Sequence, residues 1–108
     1  MGKGRRVLVI GGGAAGLTAA ICAARQGARV TLLEKMDRVG KKILATGNGR
    51  CNLLNTGPLC YPGGEAFAKA VLSHTDVKRV AAFFGSLGLS LREEEEHRVY
   101  PASGLASS

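Results

Sequence analysis

The sequence predicts a mixed α/β fold that opens with a parallel strand–helix–strand unit, and three observations predict it. An apolar, β-branched run at Arg6–Gly11 leads at once into a glycine-rich turn, Gly11-Gly-Gly-Ala-Ala-Gly16. An alanine-rich stretch of helical period follows, and then a second apolar run, Arg29–Glu34, that ends in a carboxylate. Glycine supplies 16 of 108 residues, roughly twice its usual share of about 7%. These glycines keep no Gly-X-Y period, which excludes collagen and points to tight loops.

The elements follow in order. The unbroken run Val7-Leu-Val-Ile10 reads as a strand covered on both faces. Over Leu17–Gln26 the residues Leu17, Ala20, Ile21 and Ala24 fall on one helical face. Gly27 stands where a left-handed residue ends a helix. Within the turn, Gly11 permits the sharp strand-to-helix reversal. Gly13 leaves room for a pyrophosphate against the backbone, and Gly16 lets helix and strand pack closely. The helix start at Ala14 and Ala15 then offers free N–H groups to phosphates. Glu34, at the end of the second strand, is placed to accept hydrogen bonds from an adenosine ribose. With strand, turn, helix, strand and acid all in sequence, this is the fingerprint of a Rossmann-like dinucleotide-binding unit over residues 6–34. Glu34 would repel a 2′-phosphate and so argues against NADP, with Lys35 beside it as a counterweight. FAD and NAD both remain open on these residues.

Charge and composition narrow the class further. The chain carries a net charge of +7, with 10 basic and 2 acidic residues before position 61 and 5 and 6 after it. A basic half suits a polyanionic partner, either a phosphate-bearing cofactor or a nucleic acid. Tyr61, Phe67, Phe83, Phe84 and Tyr100 all lie outside that basic half, so the stacking platform of a single-strand binder is missing there. No nucleic-acid partner is expected. No apolar run approaches the roughly 18 residues of a membrane span, and the first residues are too short for a signal-peptide core. A cytoplasmic protein with no membrane partner is expected. The core must be aliphatic, since aromatics are only 5% of residues.

Residues 35–64 do not read as a crossover helix. Gly40, Gly47, Gly49 and Gly57 break any helical period, and Asn48, Asn52 and Asn55 favour turns. A connection this long is a candidate ligand-facing loop. Its run Gly40-Lys-Lys-Ile-Leu-Ala-Thr-Gly-Asn-Gly-Arg-Cys-Asn52 resembles a segment of the BaiN-like (YhiN-type) family of NAD(P)/FAD-dependent oxidoreductases. Arg98-Val-Tyr-Pro-Ala-Ser103 resembles a second segment of that family. The resemblance implies FAD in the first unit, held by Gly11, Gly13, Ala14, Ala15, Gly16, Glu34 and Lys35. It also implies that the loop lies along the cofactor, through Lys42, Thr46, Gly47, Asn48, Arg50, Cys51 and Asn52. Members of the family are several times longer, so the chain is expected to be the N-terminal part of a larger FAD-binding domain.

The remaining segment, 65–103, reads as a helical pair and a small hairpin. Phe67, Ala70 and Val71 form the apolar side of a helix over Glu65–Ser73. Val77, Val80, Ala81 and Phe84 form that of Asp76–Leu87, with Thr75 as cap and Gly88 as stop. Leu89 and Leu91 with Val99-Tyr100 suggest the hairpin, and Glu93–Glu96 reads as its solvated turn. His74 and His97 lack partners at metal-ligand spacing, so no metal is expected. Cys51 and Cys60 are not spaced as a redox pair; Cys51 reads as a packed or flavin-adjacent thiol and Cys22 as core. No catalytic residue is identified. The expected function is hydride or electron transfer through FAD to or from a small-molecule substrate, with NAD(P)H open as the reductant and the oligomeric state undetermined. The rivals are an NAD-dependent dehydrogenase and a non-enzymatic nucleotide- or RNA-binding module.

Overall fold

The computed structural model describes residues 4–58 and 60–107, which fall into two compact units divided between Ala45 and Thr46. Leu59, inside the expected loop, and the terminal residues 1–3 and 108 lie outside the described residues.

In the first unit, β1 (Arg6–Ile10) and β2 (Arg29–Leu33) pair in parallel, Arg6 opposite Arg29 and Ile10 opposite Leu33. Helix α1 (Ala14–Arg25) connects them. The ladder runs on at both ends, since Gly11 N–H donates to Leu33 O and Arg29 N–H to Arg5 O. Helix α1 starts three residues earlier than its apolar period indicates, because Gly13, in an extended conformation, serves as N-cap. Gly27 takes φ +91, as the end of α1 requires. A 3-10 turn at Ile43–Ala45 completes the unit. Val7, Val9, Val30 and Leu32 are half-buried, and Val9 and Leu32 border the glycine turn. Leu8, Ile10 and Leu33 alternate with them and stay 59, 74 and 51% exposed. Among the described residues the sheet is thus covered on one face only, where the apolar run implied two. Cys22, read as core, is exposed: it lies off the stripe of Leu17, Ala20 and Ile21 that faces the strands.

The second unit holds a three-stranded antiparallel sheet in the order β3-β5-β4. A tight turn, α2 (Thr46–Gly49), with two left-handed residues at its middle, precedes β3 (Leu54–Asn55), so the stretch read as one long loop carries ordered elements of its own. Helices α3 (Glu65–Leu72) and α4 (Val77–Ser86) follow, then β4 (Leu91–Glu93) and β5 (Arg98–Pro101). The expected hairpin is present, with Glu93 opposite Val99 and Leu91 opposite Pro101; Leu89 stays outside it. Strand β5 is central, because its other edge pairs with β3, Leu54 opposite Val99. Accordingly Val99, Tyr100 and Pro101 are buried, together with Cys51. The cap of α4 is Asp76 rather than Thr75: the helix begins at Val77, and the Asp76 carboxylate accepts the Arg79 N–H at 2.9 Å. Phe67 on α3 is 77% exposed, so the apolar side of that helix is bare.

Candidate functional site

The turn between β1 and α1 is built around glycines whose reasons can be read individually. Gly11 has φ +98, a conformation that side-chain-bearing residues rarely adopt. A Cβ on Gly16 would lie 1.8 Å from the Gly11 carbonyl oxygen, so only glycine allows α1 to start this close to the strand. Among the described residues a Cβ on Gly13 would meet nothing within 4 Å beyond its chain neighbours, which leaves open space above the turn. Among the described residues no side chain caps α1, and no acid occupies its first turn. The N–H groups of Ala14, Ala15 and Gly16 precede the first intrahelical bond, Leu17 N–H to Gly13 O. An uncapped helix start beside open space is a seat for an anion.

Glu34 sits across from this turn and is fastened to it. Its Oε1 accepts the Gly12 N–H at 2.7 Å and its Oε2 accepts the Met36 N–H at 2.8 Å. The Met36 bond first, then the Gly12 bond, hold its carboxyl below the usual carboxylate range. Each oxygen keeps a lone pair for a further donor, such as a ribose hydroxyl. Ile10, Gly11, Leu33, Glu34 and Lys35 line an open groove of about 440 Å³. The structure thus brings Gly11, Gly13, Ala14, Ala15, Gly16, Glu34 and Lys35 to one place. Lys42 belongs to the same unit and is exposed.

Gly12 is the residue that sequence reasoning missed. It is buried, it donates to Glu34, and its carbonyl accepts the Gly40 N–H at 2.6 Å. A Cβ there would lie 2.7 Å from Val39 Cγ1. The signal was available: three consecutive glycines exceed what the turn motif alone requires.

Thr46, Gly47, Asn48, Arg50, Cys51 and Asn52 all lie in the second unit, on and after α2. Gly47 and Asn48 are both left-handed, φ 56 and 54, and Cys51 is too, at φ 59. Cys51 N–H donates to Thr46 O at 2.8 Å, closing the turn, and its side chain is buried. Arg50 Nη2 donates to Glu94 Oε2, and its guanidinium lies 4.3 Å above the Tyr100 ring. Arg92 Nη2 reaches the same Glu94 oxygen at 3.0 Å. The hydrogen bonds from Arg50 and then Arg92 lower the Glu94 pKa, and the Glu94 bond raises that of Arg50. The Glu93–Glu96 run is therefore more than a solvated turn. Glu94 pairs with Arg50 and Arg92, Glu96 with Arg98, and Glu93 accepts from Thr56 Oγ1. Among the described residues no helix is long and apolar enough to cross a membrane.

Residues 5–108 match the family described as HI0933-like protein Rossmann domain. The chain belongs to that family. A 3-dehydro-bile acid delta(4,6)-reductase of Clostridium scindens is 46% identical over 95% of this chain and 26% of its own length. A dihydrolipoamide dehydrogenase of Chaetomium thermophilum is 34% identical over 94% of this chain and 18% of its own length. A ribosomal RNA dihydrouridine synthase of Escherichia coli is 44% identical over 44% of this chain and 12% of its own length. The chain thus spans about a quarter or less of these relatives. Membership of the HI0933-like family bears out the α/β, Rossmann-like reading and the resemblance stated from the sequence. It also supports, with the reductase, the reading of the chain as a segment of a flavin-dependent oxidoreductase.

Proposed function

We propose that residues 4–45 hold the adenosine-diphosphate half of FAD in a flavin-dependent oxidoreductase. The observation that carries this reading is the pairing of an open, uncapped helix start at Gly13 with Glu34 tied to Gly12. In this reading the Ala14, Ala15 and Gly16 N–H groups meet the pyrophosphate, and Glu34 accepts from the ribose. Lys35 and Lys42 offset phosphate charge. The turn of Thr46, Gly47, Asn48, Cys51 and Asn52 faces ligand in the second unit, as the family resemblance implies, and Arg50 stands behind it on Glu94 and Tyr100. When bound, the flavin supplies hydride or electron transfer, for which protein groups provide orientation and electrostatics. The substrate is a small molecule, consistent with the bile acid reductase and the dihydrolipoamide dehydrogenase among the relatives. NAD(P)H serves as reductant, and the protein works in the cytoplasm.

A second reading, an RNA substrate, has its support in the RNA-acting relative and in the exposed cations Arg5, Arg6, Arg29, Arg38 and Lys41. The test is to purify the intact protein, record its absorbance, and follow oxidation of NADH and NADPH with an unsaturated steroid or a structured RNA as acceptor. Flavin bands with turnover of the small molecule are expected. A colourless protein, or turnover confined to RNA, refutes the corresponding part of the proposal.

A further inference from the structure

We infer that Arg50 is a positioning residue, which through Glu94 and Tyr100 holds the Thr46–Asn52 turn in the conformation that offers the Asn48 and Asn52 amides to a ligand. The proposal deepens the flavin reading for the identity of that ligand; the clamp itself stands on the second unit alone.

The guanidinium is already engaged by other groups of the protein. One nitrogen donates to Glu94, one face rests on the buried Tyr100 ring, and Nε and Nη2 line the space beside Gly104. Glu94 is in turn shared with Arg92, so the acceptor is itself fixed. What this cluster restrains is a strained piece of backbone. Asparagine tolerates the left-handed region, but Cys51 has no such tolerance and takes it at φ 59. Such conformations persist only where the surroundings over-determine them, and they gather at ligand-binding sites. The surroundings are specific here. Gly49 O accepts the Ala106 N–H at 2.8 Å, and Leu53 N–H donates to Val99 O at 2.9 Å. A Cβ on Gly47 would stand 2.7 Å from the Asn52 nitrogen and 3.3 Å from Tyr100, so the turn closes onto the ring that carries Arg50.

The asparagines separate by use. Asn55 spends its amide on structure, donating to Glu96 O and accepting the Gly57 N–H. Asn48 and Asn52 are exposed and make no side-chain hydrogen bond among the described residues. A rigid turn bearing two unspent amides suits a planar ligand edge that both donates and accepts hydrogen bonds. Arg50 supplies the rigidity and the asparagines the contact.

The experiment uses the intact protein with Arg50→Ala, Glu94→Ala, their combination, Arg50→Lys, Asn48→Ala and Asn52→Ala. Amide hydrogen exchange over residues 46–53 and the flavin absorbance and reduction potential are read for each. Arg50→Ala and Glu94→Ala should each speed exchange at Cys51 and Leu53, by roughly fivefold, and shift the flavin signal in one direction. Their combination should be no worse than Arg50→Ala alone, and Arg50→Lys should recover part of both readouts. The asparagine variants should move the flavin signal and leave exchange unchanged. An altered flavin signal in Arg50→Ala with unchanged exchange would mean that the guanidinium touches the ligand, and would overturn the proposal. So would additive effects, or asparagine variants with an unaltered flavin signal. A protein without flavin defeats the cofactor reading instead, and the exchange data still decide whether Arg50 clamps the turn.

Discussion

Two glycines three residues apart should fail in opposite ways, and that contrast tests the turn's function against its packing. In Gly16→Ala the new methyl would lie 1.8 Å from the Gly11 carbonyl oxygen, whereas real Cβ contacts stay beyond 3.0 Å. The start of α1 must therefore retreat from β1 by at least about 1.2 Å. Overpacking of this kind costs about 1–3 kcal/mol, and alanine's better helix propensity returns no more than about 1 kcal/mol. A contact this short with a backbone oxygen falls at the upper end of that cost, so a net loss of about 2 kcal/mol is expected, in the flavin-free protein as well as the loaded one. Gly13→Ala differs. Its backbone, φ −82, suits any residue, and among the described residues the methyl meets nothing within 4 Å beyond its chain neighbours. Stability should change by less than about 1 kcal/mol, the scale of an N-cap exchange. The methyl instead enters the space assigned to the pyrophosphate, so FAD affinity should fall by at least ~10-fold, or ~1.4 kcal/mol. The assay is urea unfolding of the flavin-free intact protein, with unchanged m-value as a control, alongside titration with FAD. Gly13→Ala protein that binds FAD as tightly as wild type would refute the phosphate seat. Gly16→Ala protein of wild-type stability would refute the close packing.

Three further outcomes follow from the geometry. Glu34 and Glu94 have folded-state pKa values below their unfolded ones, so their stabilisation is complete above the unfolded carboxylate range near 4.3 and is lost as pH falls through the lowered values. The urea midpoint should hold level with respect to these groups between pH 7 and 5 and drop below about 4.5, and Glu34→Gln should flatten that drop; an unaltered profile would count against the bonds from Met36 and Gly12 to Glu34. Asp76→Ala should cost about 1 kcal/mol and Thr75→Ala almost nothing, by thermal unfolding, since only Asp76 accepts the Arg79 N–H; equal effects would return the cap to Thr75. Residues 1–108 expressed alone should bind a hydrophobic dye and self-associate through Leu8, Ile10 and Leu33, and Ile10→Lys should reduce both; a monodisperse, dye-free chain would show that the bare sheet face is not sticky.

The opening unit was legible because its constraints are local. A sharp turn, a close helix start and a carboxylate one strand later each demand a residue type at a fixed spacing, and Gly11, Gly16 and Glu34 meet those demands within one stretch of chain. Strand β3 was not legible. Leu54–Asn55 has no alternation to read, and its identity as a strand comes from β5, more than forty residues away, which supplies every partner. Glu94 was misjudged for the same reason: a run of four acids looks solvated until a guanidinium from the distant turn arrives at one of them.

Burial is where the pattern and the structure part most clearly, and the reason is physical. An unbroken apolar strand specifies two covered faces, while parallel strands joined by a single right-handed helix gain cover on one. Val7 and Val9 receive it from the side of α1, and Leu8 and Ile10 do not. The same mismatch recurs on α3, where Phe67 and Val71 stand exposed at helical spacing. Cys22 errs the other way, apolar by type but off the stripe, and it faces solvent. Hydrophobic pattern therefore fixes which side of an element seeks contact, and only the tertiary partners among the described residues decide whether that contact is made.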